Sequence, residues 1–394
     1  MRFWGITGTN GKTTTTWITA AFINAAKDRK CGYVTTVEVN TGARQFYTGY
    51  TTPPLAQLKE IFAEMEANGC TDCVMEVSSH AIHQHRTGDT VFSGGVFTNL
   101  SEDHLDYHKT MEAYFDVKLD FARQIAAAHP TTPDMGRRDL PPYVVCLDGG
   151  YGREMFNAVG NLAVNVIGVS AGETGTRRTS GTSRTQPAYD LSGLQLVGDY
   201  NKSNVLCAAA LAEATGVPHD VIQAVIPMLK PRWGRLEEVK VKGEGEGRGP
   251  RIFVDFAHTP DGLEKVLAAA RGFTPEGKKL WVVFGAGGDR DPMKRPLMGE
   301  ACAKLADRLV VTSDNPRSED PGAIIDAILG GIGGDRRPST VVEPDRKKAI
   351  EFALREADEG DVVIVAGKGH ETTQEIKGVK YPFDDREVVR AFRR

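Results

Sequence analysis

A glycine-containing loop near the start of the sequence constrains the fold more than any other feature. It lies between a short apolar run at 3–7, which predicts a buried strand, and a stretch at 13–26 with the length and apolar face of a helix. Glycines at such a turn let main-chain N–H groups approach phosphate oxygens, a lysine can meet the terminal phosphates, and a hydroxyl can bind Mg²⁺. The full Walker pattern asks for glycine where this chain has Ile6, so the loop predicts a nucleotide site, with a tight helix-capping turn as the alternative. The loop reads Gly8-Thr9-Asn10-Gly11-Lys12-Thr13-Thr14.

Strand-like and helix-like segments alternate along the rest of the chain. This alternation predicts an α/β fold in which a P-loop domain with a parallel sheet is followed by a smaller, doubly wound, Rossmann-like domain. An apolar helical run ends near Arg232, so we place the boundary there and expect domains over 1–231 and 232–394. The predicted helices are 56–67 and 111–128, and the predicted strands are 73–77, 95–98, 251–255, 280–284, 308–312 and 361–366. The stretches 130–142 and 170–186 lack periodicity and predict exposed loops, and 243–250 predicts a hairpin tip.

Composition and charge exclude several classes of protein. The 394 residues are 40% hydrophobic and 25% charged, which is ordinary for a globular protein. A net charge of -4 gives no basic field for a nucleic-acid backbone, and no apolar run reaches the ~18 residues of a membrane span. We therefore expect no nucleic acid, no membrane, a cytoplasmic location and a monomer. The six cysteines are scattered, which predicts reduced thiols, and Cys70 with Cys73, or His80 with His83 and His85, are only weak zinc patterns.

Further motifs follow the glycine loop in a fixed order along the chain. They are Met75-Glu76-Val77-Ser78-Ser79-His80 with Gln84-His85-Arg86, Thr98-Asn99-Leu100-Ser101, Asp103-His104-Leu105-Asp106-Tyr107-His108, Asp255-Phe256-Ala257-His258-Thr259-Pro260-Asp261, Gly287-Gly288-Asp289-Arg290-Asp291, Lys294-Arg295-Pro296, Asp314-Asn315-Pro316-Arg317 and Gly367-Lys368-Gly369-His370-Glu371. With the loop, these motifs resemble the Mur ligase family, which adds amino acids to the peptidoglycan precursor and includes folylpolyglutamate synthase as a relative. The resemblance extends over nearly the whole chain. It implies a central ATP-binding domain over 1–231 and a C-terminal, amino-acid-binding domain over 232–394.

The resemblance implies four catalytic residues. Without it, Glu76 would be interpreted as a surface glutamate, His104 as a core histidine and Lys118 as a solvated lysine of the predicted helix 111–128. Thr13, Glu76 and His104 match positions that bind magnesium in the family. Lys118 matches a lysine that is carbamylated by carbon dioxide in the family. A carbamate is an anion that could bind a second Mg²⁺ or orient the phosphate. The implied catalytic set is Lys12, Glu76, His104 and Lys118.

The resemblance also implies positions near ATP. Besides the loop at 8–14, these are Asn201, Asn204, Arg235, Asp255 and His258. From the sequence context alone, Asn201 and Asn204 are instead predicted to cap the N-terminus of the helix that follows. In the family, the second domain supplies its residues by closing over ATP, which would exclude water from a reactive acyl phosphate.

Two further sets of residues match family contacts to the other substrates. An arginine can bind the distal carboxylate of meso-diaminopimelate bidentately, whereas L-lysine has no such group. The alternative for Asp314-Asn315-Pro316-Arg317 is a simple turn. The positions that match muramoyl-dipeptide contacts are Thr51, Thr52, Ser78, Gln84 and Arg86, and those that match contacts to meso-diaminopimelate are Arg290, Asp314, Asn315, Arg317, Gly367 and Glu371.

The implied activity is ATP- and Mg²⁺-dependent addition of meso-diaminopimelate to a D-glutamyl carboxylate through an acyl phosphate. Two alternatives remain: a ligase of the polyglutamate-adding kind that acts on an acceptor without UDP, and a nucleotide-binding regulator without catalysis. Family members also have an N-terminal domain that binds the UDP end of the precursor, whereas the predicted phosphate-loop strand here begins within a few residues of Met1. Three explanations of this difference are open: a different start codon, an acceptor that lacks UDP, or a separate chain that supplies those contacts.

Overall fold

The computed structural model describes residues 1–132, 134–172, 177–179, 189–242, 249–334 and 339–393. They form two compact units, Met1–Leu229 and Lys230–Arg394. In the predicted loop at 130–142, the described residues are exposed up to residue 139 and include one 3₁₀ turn, Arg137–Asp139. Most of the predicted loop at 170–186 and of the predicted hairpin tip at 243–250 lies outside the described residues. No helix in the described part of the chain is long and apolar enough to cross a membrane.

The first unit is built on a sheet that is mostly parallel. Its strands are β1 (Arg2–Thr7), β2 (Cys31–Val34), β3 (Val39–Asn40), β4 (Gln45–Phe46), β5 (Asp72–Glu76), β6 (Phe92–Phe97), β7 (Pro142–Cys146), β8 (Asn165–Val169) and β9 (Arg177–Thr179). The order among the described strands is β4-β3-β2-β5-β1-β6-β7-β8-β9. Strands β2, β5, β1, β6, β7 and β8 are parallel, and β3, β4 and β9 are antiparallel additions at the edges. The loops after β5, β1 and β6 therefore leave the sheet at one shared edge.

The helices of the first unit include two groups that pack on this sheet. They are α1 (Lys12–Ala25), α2 (Leu55–Ala67), α3 (Ser79–His83), α4 (Leu105–His108), α5 (Met111–Ala128), α6 (Gly152–Gly160), α7 (Asp199–Ala214) and α8 (His219–Val225), with a 3₁₀ turn at Ile226–Met228. Helices α2, α5 and α6 bury apolar side chains such as Phe62, Phe121 and Met155 in one cluster with the sheet. Helix α1 packs against α7 and α8, which brings the start of α7 beside the loop that precedes α1.

The second unit has a smaller parallel sheet. Its strands are β10 (Glu237–Glu238), β11 (Arg251–Asp255), β12 (Leu280–Phe284), β13 (Arg308–Val311), β14 (Thr340–Val342) and β15 (Val362–Ala366), and its helices are α9 (Pro260–Phe273), α10 (Lys294–Leu305), α11 (Pro321–Gly330), α12 (Arg346–Glu356) and α13 (Asp385–Ala391). The described order is β10-β11-β15-β12-β13-β14, in which only β10 is antiparallel. A separate hairpin of β16 (Thr373–Ile376) and β17 (Val379–Pro382) follows β15.

The predicted α/β class with large parallel sheets is confirmed. Helix α5 and strands β11 and β12 begin and end where the periodicity predicts, because each is a continuous apolar or amphipathic run. The short antiparallel strands β3, β4, β9 and β10 were not predicted. Two or three residues carry too little periodicity to signal a strand, and only pairing to a distant neighbour defines them.

Candidate functional site

The loop between β1 and α1 has the main-chain geometry of a phosphate cradle. Gly8 and Gly11 have φ angles of 143° and 84°, which side chains rarely allow. A Cβ at Gly11 would lie 2.3 Å from Asn204 Oδ1, and one at Gly8 would lie 1.9 Å from Thr98 Oγ1. Helix α1 begins directly after Gly11, so its first N–H groups open onto the loop.

The segment after β6 holds this loop in place. Thr98 Oγ1 donates to the carbonyl of Asn10 over 2.6 Å, and the Asn10 amide donates to Asn99 Oδ1 over 2.9 Å. The Thr9 amide donates to the carbonyl of Asn99, also over 2.9 Å. The sequence alone indicates no role for Thr98 and Asn99, although they belong to one of the motifs shared with the family. Their role in the structure is to support the loop.

Two lysines donate to main-chain carbonyls of the loop. Lys12 Nζ lies 3.0 Å from the carbonyl oxygen of Gly8 and 2.8 Å from that of Thr9. Lys118 Nζ, from α5, lies 2.9 Å from the carbonyl oxygen of Gly8 and 4.6 Å from the centre of the Tyr114 ring. Lys118 is only 1% exposed, so the interpretation as a solvated lysine is wrong. Burial and the neighbouring Lys12 ammonium hold the pKa of Lys118 well below its usual value, which favours a neutral amine.

Glu76 ends β5 and is oriented by a residue that sequence analysis missed. The Thr36 amide donates to Glu76 Oε1 over 2.8 Å, and Thr36 Oγ1 lies 3.1 Å from Glu76 Oε2. Thr36 Oγ1 also lies 3.0 Å from Thr51 Oγ1. Glu76 is 1% exposed, so it is not a surface glutamate. No local signal could have found Thr36, because it follows a different strand and lies 40 residues away in the chain.

His104 lies at the start of α4 in a left-handed conformation, with φ of 56°. Its Nε2 is 3.5 Å from Asp103 Oδ2, and its ring packs edge-on against His80 at 4.9 Å. Loss of hydration lowers the pKa of His104 to about 4, with Asp103 opposing that shift. The ring is therefore neutral at physiological pH, the form that can bind a metal. Among the described residues, no group of three or more His, Cys, Asp or Glu side chains is arranged to hold a metal, and the weak zinc patterns are not realised.

Asn201 and Asn204 do not cap helix α7. The helix begins at Asp199 after Gly198, and no side chain caps it. Instead, Asn201 Nδ2 donates to the carbonyl of Val197 over 2.7 Å, and Asn204 Nδ2 donates to Asn201 Oδ1 over 3.2 Å. Asn204 Oδ1 also accepts from Thr15 Oγ1 of α1 over 3.3 Å. The structure thus places Asn204 against the phosphate loop.

The predicted dipeptide-binding residues lie after β4 and β5. Thr52 Oγ1 donates to the carbonyl of Glu76 over 2.8 Å, and Ser78 Oγ caps α3 by accepting from the Ala81 amide over 3.2 Å. Arg86 Nε donates to Gln84 Oε1 over 2.8 Å, and Gln84 Nε2 donates to Tyr107 Oη over 3.1 Å. Tyr107 also bonds His83 Nδ1 over 2.8 Å, so this unpredicted tyrosine holds the segment that carries Gln84 and Arg86.

In the second unit, the turn after β13 carries the predicted amino-acid-binding residues. Asp314 is 7% exposed. Its Oδ2 lies next to Gly367 and has no hydrogen-bond partner among the described residues. A Cβ at Gly367, where φ is 116°, would lie 2.5 Å from this oxygen, which explains the glycine. Asn315 Nδ2 donates to Glu371 Oε2 over 2.8 Å, and Arg317 donates to the carbonyl of Gly288 over 2.6 Å. Five of the six predicted residues therefore surround this turn.

The sixth, Arg290, lies on the exposed loop after β12, where it donates to the carbonyl of Asp289 over 2.9 Å. Of the second unit's residues predicted for ATP contact, Arg235 lies just before β10, Asp255 ends β11, and His258 follows β11. Asp255 accepts from the Leu236 amide over 2.6 Å and the Ala257 amide over 2.7 Å, and burial raises the pKa of Asp255. Arg235 lies 4.6 Å from the centre of the Phe256 ring. The ring of His258 bonds the carbonyl of Phe256 through Nδ1 over 2.8 Å.

Comparison with known proteins matches both units to one family. Residues 6–212 match the Mur ligase middle domain, and residues 234–369 match a domain described as Mur ligase, glutamate ligase domain. A UDP-N-acetylmuramoyl-L-alanyl-D-glutamate--2,6-diaminopimelate ligase of Synechococcus elongatus is 41% identical over 98% of this chain and 75% of its own length. A ligase of the same name from Neisseria meningitidis is 36% identical over 99% of this chain and 77% of its own length.

Solved structures agree with these sequence matches. A structure of a ligase of that name, 31% identical, covers 99% of this chain and 77% of its own chain with a TM-score of 0.60. Mycobacterium tuberculosis folylpolyglutamate synthase, solved with ADP and AMPPCP, is 20% identical, covers 93% of this chain and 88% of its own with a TM-score of 0.61, and shares the fold. Because family models match both units and the relatives match nearly the whole sequence, the chain belongs to the Mur ligase family, whose members are ATP-dependent ligases that form a peptide bond.

Proposed function

We propose that this ligase adds meso-diaminopimelate to the D-glutamyl carboxylate of a UDP-linked muramoyl-dipeptide during peptidoglycan synthesis. The observation that carries the proposal is the turn at 314–317, where Asn315 Nδ2 donates to the carboxylate of Glu371 and the Arg317 guanidinium, from the same turn, donates to the carbonyl of Gly288. Such a set suits the carboxylate and ammonium at the distal end of a diamino-dicarboxylic acid. The names of relatives that match over about three quarters of their length support the same acceptor and amino acid.

The reaction would proceed in two chemical steps. A carboxylate oxygen of the acceptor attacks the γ-phosphorus of ATP, and ADP leaves. The amine of the amino acid then attacks the acyl carbon, phosphate leaves, and the nitrogen loses a proton. The main-chain N–H groups of the loop and the Lys12 ammonium would bind the phosphate oxygens and stabilise the charge on the transferring group.

Thr13, Glu76 and His104 fit a magnesium ion. A hydroxyl, a buried carboxylate with both oxygens oriented by Thr36, and a neutral imidazole are suitable donors. When bound there, Mg²⁺ would offset negative charge on the phosphates. Glu76 and His104 would hold the ion near Lys12, because Glu76 ends β5, and Lys12 and His104 follow the neighbouring strands β1 and β6.

Lys118 suits carbamylation. Its lowered pKa favours the neutral amine, which can attack the carbon of CO₂ and lose a proton to give a carbamate anion. Removing CO₂ from the assay should lower the ligation rate, and bicarbonate should restore it. A rate that does not depend on bicarbonate, in protein that contains no carbamate by labelled-bicarbonate NMR, would contradict this part of the proposal.

The activity is tested by measuring ADP release with each acceptor and amino acid in turn. We expect release only when the UDP-linked muramoyl-dipeptide and meso-diaminopimelate are both present. Replacing meso-diaminopimelate with L-lysine, or the acceptor with a folate and glutamate, should leave only background hydrolysis. Stimulation by folate and glutamate would favour the polyglutamate-adding alternative, and ATP binding without turnover under every combination would favour a regulator.

A further inference from the structure

Lys368 is a buried cation that the proposed reaction does not use. It follows β15, between Gly367 and Gly369, and its side chain is fully buried. Its Nζ lies 3.1 Å from Asn315 Oδ1, 2.7 Å from Glu371 Oε2 and 2.7 Å from the carbonyl oxygen of Thr373. An ammonium has three protons and accepts no hydrogen bond, so these three acceptors satisfy it completely. Lys368 is thus a donor held in one position.

The contacts of Lys368 determine which way the Asn315 amide faces. Oδ1 of Asn315 is contacted by Lys368 Nζ and, over 2.9 Å, by the main-chain amide of Glu375. Both partners can only donate, so the atom that they contact must be the oxygen. The amide nitrogen therefore faces Glu371 Oε2, at 2.8 Å. The opposite orientation would bring donor against donor in a site where Asn315 is 7% exposed.

The same contacts orient the carboxylate of Glu371. Its Oε2 accepts hydrogen bonds from both Lys368 Nζ and Asn315 Nδ2, whereas no described residue donates to Oε1. The Glu371 side chain is 30% exposed, so this second oxygen is available to a ligand. An oxygen of an ionised carboxylate accepts well from an ammonium group.

The hairpin that begins at Thr373 connects this set to Arg317. The Arg317 amide donates to the carbonyl of Glu375 over 3.1 Å, and the Lys377 amide donates to the carbonyl of Arg317 over 2.7 Å. Gln374 Nε2 donates to the carbonyl of Asp314 over 2.7 Å. Lys368, through the carbonyl of Thr373, is therefore bonded to the strand that holds both ends of the turn.

We propose that Lys368 is a positioning residue for the incoming amino acid: it orients the Asn315 amide and Glu371 Oε1 toward the distal ammonium and carboxylate without touching the substrate. This inference rests on the proposed function, because it takes the turn at 314–317 as the amino-acid site. Lys368 would then contribute to the affinity for diaminopimelate and to its selection over L-lysine, and would have no part in ATP binding.

The test is steady-state ligation by the full chain with Lys368→Met, which keeps the length of the side chain and removes the donor. We expect the KM for meso-diaminopimelate to rise about 10- to 100-fold, by analogy with residues that orient metal ligands, with kcat and the KM for ATP nearly unchanged. The preference for meso-diaminopimelate over L-lysine should fall with it. The matched control is Lys380→Met on the exposed face of β17, which should leave every parameter unchanged.

Lys368→Gln, which keeps an N–H donor but loses the charge, should lie between the wild type and Lys368→Met. If Lys368→Met does not fold, the Gln variant is judged by the same criteria. An unchanged KM and preference in folded protein would overturn the inference, and so would equal losses in kcat and in both KM values, which would indicate a structural role only.

The proposed function fails separately, if the wild type does not respond to meso-diaminopimelate in ligation or in calorimetric titration. Lys368 is then tested with the amino acid that the wild type does bind, and a chain that binds none would overturn both proposals.

Discussion

The two units of this chain use their lysine and arginine side chains differently. In the first unit, Lys12 and Lys118 donate to main-chain carbonyls of the phosphate loop. In the second, Arg346 forms a bidentate pair with Asp385, and Lys368 pairs with Glu371. Lys12 would exchange its carbonyl contacts for phosphate oxygens, and burial makes Lys118 a neutral amine, whereas Arg346 and Lys368 hold other side chains in position. Removing a cation should therefore affect catalysis in the first unit and folding or selectivity in the second.

The largest effect is expected for Lys12→Ala. This change removes the donor that we propose for the phosphates, so we expect ligation to fall roughly 10³-fold or more, with little change in thermal stability. The measurement is ADP release at saturating substrates, with circular dichroism to verify the fold. Lys27→Ala, at an exposed lysine just beyond α1, is the control and should be as active as the wild type. Near-normal ligation by Lys12→Ala would reject the assigned phosphate site.

Arg346→Met should instead act on stability. Arg346 is 1% exposed and also donates to the carbonyl of Ala366, so the change leaves Asp385 buried without its partner. The free energy of unfolding should fall by about 3–5 kcal/mol, measured by urea denaturation. Arg123→Met, which breaks an exposed pair with Asp116 and Asp120, should change it by less than about 1 kcal/mol.

Adding Asp385→Leu to Arg346→Met should recover much of the lost stability, because the double change removes the unpaired charge. If the double variant is no more stable than Arg346→Met, the loss comes from packing instead of from charge.

A smaller effect is expected for Gly11→Ala, which tests whether the cradle depends on its main chain. Gly49 is a matched control, since its φ of 83° is close to the 84° of Gly11 but nothing lies within 4 Å of an added Cβ. Both changes place an alanine in a left-handed main-chain conformation, which costs about 1–2 kcal/mol. Only Gly11→Ala adds a contact with Asn204, so we expect it to be the less stable variant in urea and to have the higher KM for ATP. Equal stability and equal KM values would contradict this account of the cradle.

The smallest effect concerns pH and the second unit. Burial, followed by the nearby Arg235, lowers the pKa of His370 from 6.5 to about 3. Between these values the unfolded chain binds a proton that the folded chain does not, so stability decreases as the pH falls. From pH 7 to pH 5, this histidine should account for about 1–2 kcal/mol of lost stability. In urea titrations at several pH values, His370→Gln should reduce the slope, and an unchanged slope would show that other groups cause it.

The sequence predicts the parts of the site that depend on local pattern. The glycines of the phosphate loop lie between a strand and a helix, so they could be located from the residues alone, whereas Glu76 is assigned only through the resemblance to the Mur ligase family. The supporting residues could not be located, because Thr36 and Lys368 act through contacts made only when separate segments pack together. The N-cap interpretation of Asn201 and Asn204 failed for a related reason: helix α7 begins two residues before Asn201, so neither asparagine is at its end.

The hydroxyl chain from Glu76 to Thr51 determines what Thr51 can offer a ligand. Thr36 Oγ1 has one proton and two possible acceptors, Glu76 Oε2 and Thr51 Oγ1. An ionised carboxylate only accepts, so when this proton is donated to Glu76, Thr36 can accept the proton of Thr51. Thr51 then presents lone pairs and no proton to a ligand. A peptide N–H would bind there and a carboxylate oxygen would be repelled, so in the proposed reaction Thr51 would contact an amide link of the acceptor and not one of its acidic groups.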